Sequence, residues 1–292
     1  MPPALPPTIW AQHRLEWGQQ THVMGIVNVT PDSFSGDGLS LENETTEMMV
    51  ARALTQAESF VAEGAIIIDV GGESTRPRAD AIVTVEQELE RVTPVIRALA
   101  RALPRHIIIS IDTYHAEVAI QAIEAGACMI NDVWALQADA EMAAVAQRTG
   151  VPVILMANMR GYQKREIVSD VMRFLAASIE KALAAGIAWE KLILDPGIGF
   201  GTTPEENLVL LRRLGELKAL GRPLLLGTSR KSTIGLVLGG LPAHERVEGT
   251  AATIALGIAQ GADIVRVHDV HEMMRVVKMS DAIVRGTFTL TQ

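Results

Sequence analysis

Apolar, β-prone runs recur along the chain, and each closes on a polar or glycine-flanked residue. In order they are VMGIVN, ending at Asn28; AIIIDVGG, carrying Asp69; HIIISID, ending at Asp112; and ACMIND, ending at Asn131 and Asp132. VPVILMAN (Met156 to Asn158), KLILD (ending at Asp195), PLLLGTSRK (Ser229 to Lys231) and DIVRVH (Arg266 and His268) follow. Continuous Val/Ile/Leu stretches mark strands buried on both faces. Between them the period changes. Val85, Leu89, Val92, Ile96, Leu99 and Leu103 recur at steps of four and three, one apolar face of a helix. Pro94 inside that pattern predicts a kink or a break. Thr203-Pro204-Glu205-Glu206 reads as an N-cap, a first-turn proline and a capping-box glutamate, opening a helix toward Leu220. Ala251, Ile254, Ala255 and Ile258 repeat the helical spacing, and Gly126, Gly150, Gly186, Gly221 and Gly261 stand where C-terminal caps precede strands.

Eight strands separated by helices predict an α/β fold, a (β/α)8 TIM barrel, with its active site at the C-terminal strand ends. At 292 residues the chain suits a single domain of that kind. The expected division is a lead-in over residues 1–22 and the barrel over 23–292. The opening MPPALPPTIW lacks a basic stretch followed by an apolar core, so it does not read as a signal peptide; its prolines suggest an extended segment packed beneath the barrel by Trp10 or Trp17. Two loops, Asn28 to about Thr45 and Gly71 to about Val83, exceed the ~12 residues usual in a compact domain and are expected to act as lids.

Composition narrows the class of partner. A formal charge of -8 argues against nonspecific nucleic-acid or anionic-membrane binding. No uncharged stretch reaches the ~20 apolar residues of a membrane span. The single cysteine, Cys128, lies in an apolar run and reads as a core residue of a cytoplasmic protein.

The unusual residues stand where a barrel would use them. GTSRKST (227–233) follows the seventh strand and opens a helix, whose N-terminus offers unpaired N–H groups to an anion, with Arg230 and Lys231 adding charge. A capped helix alone would also account for it. Arg266 and His268 alternate on the eighth strand and so point to one side. A buried arginine needs an anionic partner, either a neighbouring strand's aspartate or a bound phosphate. Asp112 and Asp195 end apolar strands, where a carboxylate must be paired or hydrogen-bonded. A heterocycle with adjacent N–H donors would satisfy them, and so would an ion pair with Lys231. Asn28 either forms a turn or offers its side-chain carbonyl to Mg2+, which takes few protein ligands beside substrate phosphates.

MGIVNVTPDSFS (24–35), GGESTRP (71–77), SIDT (110–113), INDVW (130–134), LDPGIGFG (194–201), GTSRKS (227–232) and VRVHDV (265–270) together resemble the motifs of the dihydropteroate synthases, in the same order and across nearly the whole chain. The resemblance implies a pterin-binding barrel of folate biosynthesis, a transferase of alkyl or aryl groups other than methyl and a sulfonamide target. In its reaction para-aminobenzoate displaces pyrophosphate from 6-hydroxymethyl-7,8-dihydropterin pyrophosphate. It also implies roles. Asp112, Asn131, Asp195 and Lys231, with Met156, Phe200 and Gly227, would form the pterin site. Asn28, Thr75, Arg76, Arg266 and His268 would bind pyrophosphate, Asn28 partly through Mg2+ as the cofactor. Phe34, Pro77 and Ser232 would border para-aminobenzoate.

Some positions depart from that pattern. SFSGDG places the loop-one acid at Asp37, Arg78 follows Pro77 where glycine is usual, Ala157 stands where histidine commonly follows methionine, and Thr202 replaces a lysine. The register of Met156 against Met159 is ambiguous. Two other readings stay open: a pterin-binding paralogue with weak or no synthase activity, and a pterin-dependent methyltransferase. The resemblance further implies a homodimer through the last helices, where Val276, Val277, Met279 and Ile283 offer apolar surface.

Overall fold

The computed structural model describes residues 5–29, 45–73 and 83–288. Its main sheet has eight parallel strands: β1 (His22–Asn28), β2 (Ile67–Gly71), β3 (Ile108–Asp112), β4 (Met129–Asp132), β5 (Val153–Met156), β6 (Leu192–Asp195), β7 (Leu225–Leu226) and β8 (Ile264–Val267). Each falls on one of the apolar runs. They pair in the order β6-β5-β4-β3-β2-β1-β8-β7, and a parallel bridge between Leu194 and Leu224 joins the ends into a (β/α)8 barrel. The helices are α1 (Thr46–Glu63), α2 (Val85–Ala102), α3 (Ala116–Ala125), α4 (Met142–Thr149), α5 (Ile167–Ala184), α6 (Pro204–Arg212), α7 (Ser232–Val237), α8 (Val247–Ala259) and α9 (Val270–Val284).

The period of two along each strand separates two cores. Met24, Ile67, Ile108, Met129, Ile154, Ile193, Leu225 and Ile264, one from each strand, form an apolar layer inside the barrel. Ile68, Ile109, Ile130, Leu155, Leu194 and Val265, their neighbours in sequence, belong instead to the cluster shared with the helices. Two residues beyond the inner layer, the inward positions become Ile26, Asp69, Ser110, Asn131, Met156, Asp195, Gly227 and Arg266. The barrel therefore has an apolar floor and a more polar upper half, in which Ile26 and Met156 are the apolar members.

The lead-in is not simply extended. Thr8–Trp10 and His13–Leu15 pair as an antiparallel hairpin, and Trp10, Leu15 and Trp17 join the inner layer from below. Both indoles bury their rings while keeping a hydrogen bond: Trp10 Nε1 donates to the Cys128 carbonyl at 2.8 Å and Trp17 Nε1 to Thr8 Oγ1 at 3.1 Å. Helix α2 continues through Pro94 without a break. Its buried Val92, Val95, Ile96 and Leu99, at about 1.5–3 kcal/mol each, outweigh the roughly 3 kcal/mol a mid-helix proline costs. Helix α6 starts as expected, with a Thr203–Glu206 capping box and Pro204 in the first turn, but ends at Arg212. The chain then tightens into a 3₁₀ turn over Leu214–Leu220, which puts Leu214 and Leu217 on one buried face.

Candidate active site

The inward positions at the C-terminal strand ends bring Asn28, Asp69, Asp112, Asn131, Met156, Asp195, Gly227, Arg266 and His268 to one end of the barrel. Arg266 is the hub. Its Nε donates to Asp69 Oδ2 at 2.6 Å and its Nη2 to Asp112 Oδ2 at 2.6 Å. Asp69 Oδ2 also accepts from Asn131 Nδ2 at 3.0 Å, and this carboxylate is wholly buried. Of the two partners open to Arg266 from sequence, the structure supplies strand aspartates. Sequence reasoning gave Asp69 no role; the available signal was an acid inside an apolar strand, which must be paired.

The two rim carboxylates differ. Asp195 Oδ1 accepts the Gly197 N–H at 2.7 Å, and burial pushes its carboxyl up to about 6 despite that bond and the nearby charges of Lys231 and Arg266. Its second oxygen faces Gly227, where an added Cβ would lie 3.8 Å away. Burial also raises Asp112; Arg266 opposes that shift, while Asp69 and Glu88 add to it. Lys231 Nζ makes no ion pair among the described residues and sits 4.2 Å from the centroid of the Phe200 ring. Loss of hydration and the charge of Arg266 lower the lysine to about 8, with Asp195 and Asp112 holding it up. The structural ion pair open to Lys231 from sequence is therefore not formed.

Phe200, Met156 and Val133, with Tyr114 and Trp134 beside them, form a separate apolar patch at this end. Close backbone approach fixes Phe200. Met159 N donates to the Phe200 carbonyl at 3.0 Å, and Ala157 N to that of Asp195 at 2.9 Å. Gly197, at φ +71°, leaves room for this: a Cβ there would lie 1.8 Å from the Ala157 carbonyl oxygen. Met156 joins the Phe200 patch, whereas Met159 belongs to the outer core. Thr202 braces the same loop, its Oγ1 bonding Gly199 N at 3.1 Å and Asn207 Oδ1 at 2.6 Å.

At the other side of the rim, Ser229 Oγ lies 2.9 Å from His268 Nδ1. Asn28 Oδ1 and Asp112 Oδ2 both lie 3.6 Å from the position a Cβ on Gly71 would take. Ser232 is exposed at the start of α7, with Lys231 at its N-cap. Arg230 is diverted: at φ +57° its guanidinium pairs with Asp269, Nε to Oδ2 at 3.0 Å. Thr75, Arg76, Phe34 and Pro77, like Asp37, Arg78 and the greater part of the two expected lids (30–44 and 74–82), lie outside the described residues. Among the described residues, Glu73, Glu88 and His115 place donor atoms within 4.8 Å of one another, and His115 Nδ1 lies 2.8 Å from Glu88 Oε2.

The sequence matches the family described as Pterin binding enzyme over residues 24–268. It is 48% identical over 269 residues to the dihydropteroate synthase of Clostridium beijerinckii, covering 92% of this chain and 96% of that one. The chain belongs to the dihydropteroate synthase family. Structures of that family superpose closely. The Clostridium difficile dihydropteroate synthase, crystallised in the presence of pteroic acid, matches with a TM-score of 0.85 at 48% identity, over 92% of this chain and 98% of that one. The Xanthomonas albilineans dihydropteroate synthase, solved with 4-aminobenzoic acid, matches with a TM-score of 0.87 at 39% identity, over 98% and 100%.

Proposed function

We propose that the chain condenses 6-hydroxymethyl-7,8-dihydropterin pyrophosphate with para-aminobenzoate, giving 7,8-dihydropteroate and pyrophosphate. The observation that carries this reading is the convergence of Asp112, Asn131, Asp195 and Lys231 with Arg266 and His268 at one barrel end, in a chain of the dihydropteroate synthase family.

Asp195 accepts from the 2-amino and N3–H edge of the pterin through its free oxygen, and Asp112, Asn131 and Lys231 surround the ring. Met156 and Phe200 line it, and Gly227 leaves space beside Asp195. Arg266 and His268 take the pyrophosphate, with Thr75 and Arg76. Phe34, Pro77 and Ser232 border para-aminobenzoate. The C–O bond at the pterin methylene breaks first, its electron pair leaving on pyrophosphate. The cation left on the pterin is stabilised by the preorganised carboxylates. The neutral arylamine then forms the C–N bond and releases a proton to solvent or to pyrophosphate, so no dedicated base is required. The Asn28 side-chain oxygen, at the rim beside Gly71, is the kind of ligand a hard, oxygen-seeking cation takes. Asn28 would hold Mg2+, which when bound neutralises pyrophosphate charge.

The same reading places the enzyme in the cytoplasm. No helix among the described residues is long and apolar enough to cross a membrane. Homodimerisation would use α9. Val277 belongs to the chain's own core and Val276 packs partly against it, whereas Met279 (63% exposed) and Ile283 (71%) face outward. The test is direct: protein, Mg2+ and dihydropterin pyrophosphate, with and without para-aminobenzoate, assayed for pyrophosphate and dihydropteroate. Pterin binding without either product would refute the synthase reading.

A further inference from the structure

Ser229 and His268 are tied twice. Ser229 Oγ accepts the backbone N–H of His268 at 3.1 Å and lies 2.9 Å from Nδ1 of the same imidazole. The next pair in sequence repeats the tie, since Arg230 and Asp269 are joined through their side chains. Two adjacent cross-links thus clamp the GTSRK turn to the end of β8. Thr250 adds a third anchor, its Oγ1 accepting the Arg230 backbone N–H at 3.1 Å.

Burial turns this geometry into a statement about protons. Ser229 is 6% exposed, and a buried hydroxyl left without an acceptor is costly. A backbone N–H can only donate. Of its two partners on His268, only Nδ1 can therefore receive the serine proton. In a neutral imidazole, when Nδ1 accepts, the ring proton resides on Nε2.

We infer that Ser229 is a positioning residue whose hydroxyl donates to Nδ1 of His268, holding the neutral ring as its Nε2–H tautomer and presenting a donor to the oxygens of pyrophosphate. Ionised phosphoryl oxygens only accept, so the opposite tautomer would set a nitrogen lone pair against them. The inference rests on the reading of His268 as a pyrophosphate ligand.

The experiment uses the full chain labelled with 15N-histidine, with His268 resonances assigned by their loss in His268→Gln. In the wild type, His268 should appear as a single Nε2–H tautomer in the neutral ring. Ser229→Ala should give mixed tautomers, and its affinity for inorganic pyrophosphate with Mg2+ should fall about fivefold to tenfold, the loss of one hydrogen bond's worth of orientation. Ser229→Thr, which keeps the hydroxyl, should restore both. Affinity for a pterin without phosphates should stay unchanged in all three, which separates positioning from general damage to the site. An Nδ1–H tautomer in the wild type, or a single Nε2–H tautomer persisting in Ser229→Ala, would overturn the serine's role. A Ser229→Ala that weakens pterin and pyrophosphate alike would overturn it too. Unaltered pyrophosphate affinity in His268→Gln would instead remove His268 from the pyrophosphate site, while the tautomer measurement still reads the serine's bond.

Discussion

Arg266 and Asp69 meet inside the barrel, Nε to Oδ2 at 2.6 Å, reaching from β8 to β2 past the intervening β1. The same aspartate oxygen holds the Asn131 amide at 3.0 Å. One buried carboxylate thus sets both a cation proposed for the leaving group and an amide proposed for the pterin. Removing its charge leaves Arg266 with Asp112 alone. Asp69→Asn should lose about 3 kcal/mol of stability, the low end for breaking a buried pair, read from urea midpoints. Pterin and pyrophosphate affinities should fall together. A variant as stable as the wild type, with both affinities intact, would show that Arg266 and Asn131 keep their places without it.

Asp195 tests the pterin end. One oxygen is committed to the Gly197 N–H, so the other is the acceptor free for a ligand. In Asp195→Asn a donor replaces an acceptor against N–H groups, and a charge-assisted bond is lost. Pterin affinity should drop about 10- to 100-fold, measured calorimetrically, while pyrophosphate affinity changes little. Equal pterin affinity in the two proteins would take Asp195 out of the pocket.

The opposed shifts of Asp195 and Lys231 set a pH window. The working form has Asp195 ionised and Lys231 protonated. Burial raises the acid to about 6, so this form is lost as pH falls through that value; Asp112, also raised by burial, adds to the same limb. Lost hydration and Arg266 lower the lysine to about 8, so the form is lost again as pH climbs past it. The profile of kcat/KM, which reports free-enzyme groups, should be bell-shaped between these limits. Lys231→Arg should move the alkaline limb upward, since guanidinium stays charged. An alkaline limb that does not respond would assign it to another group.

The strand ends were legible from sequence because an apolar run that stops on an acid or amide must satisfy that group, and a barrel gathers such ends at one rim. Period two alone put Arg266 and His268 on one side of β8. Pairing across strands was not legible: Asp69 stood in plain view, yet nothing local said that Arg266 and Asn131 would both reach it. Arg230 and Lys231 were indistinguishable as neighbours in GTSRKST, and a left-handed backbone at Arg230 sends one to Asp269 and leaves the other beside Phe200. Val277 and Met279 raised a similar ambiguity, because apolar spacing does not say which face of α9 meets the barrel.

The GIGFG segment offers a test of how the site is held rigid. Gly197 and Gly199 both have left-handed backbones, at φ +71° and +82°, but different neighbours. A Cβ at position 199 would meet the flexible Lys231 side chain at 3.4 Å, whereas one at 197 would fall 1.8 Å from the Ala157 carbonyl oxygen. Gly199→Ala should therefore cost about 1–2 kcal/mol, the conformational penalty alone. Gly197→Ala carries the same penalty and must also push apart the backbones that hold Phe200. Its loss should exceed about 3 kcal/mol, with pterin affinity falling as Phe200 shifts relative to Lys231. Denaturant unfolding of the two variants side by side separates the contributions. Equal losses would mean that the 157–201 segment yields easily, and that close backbone packing is not what holds the ring beside the lysine.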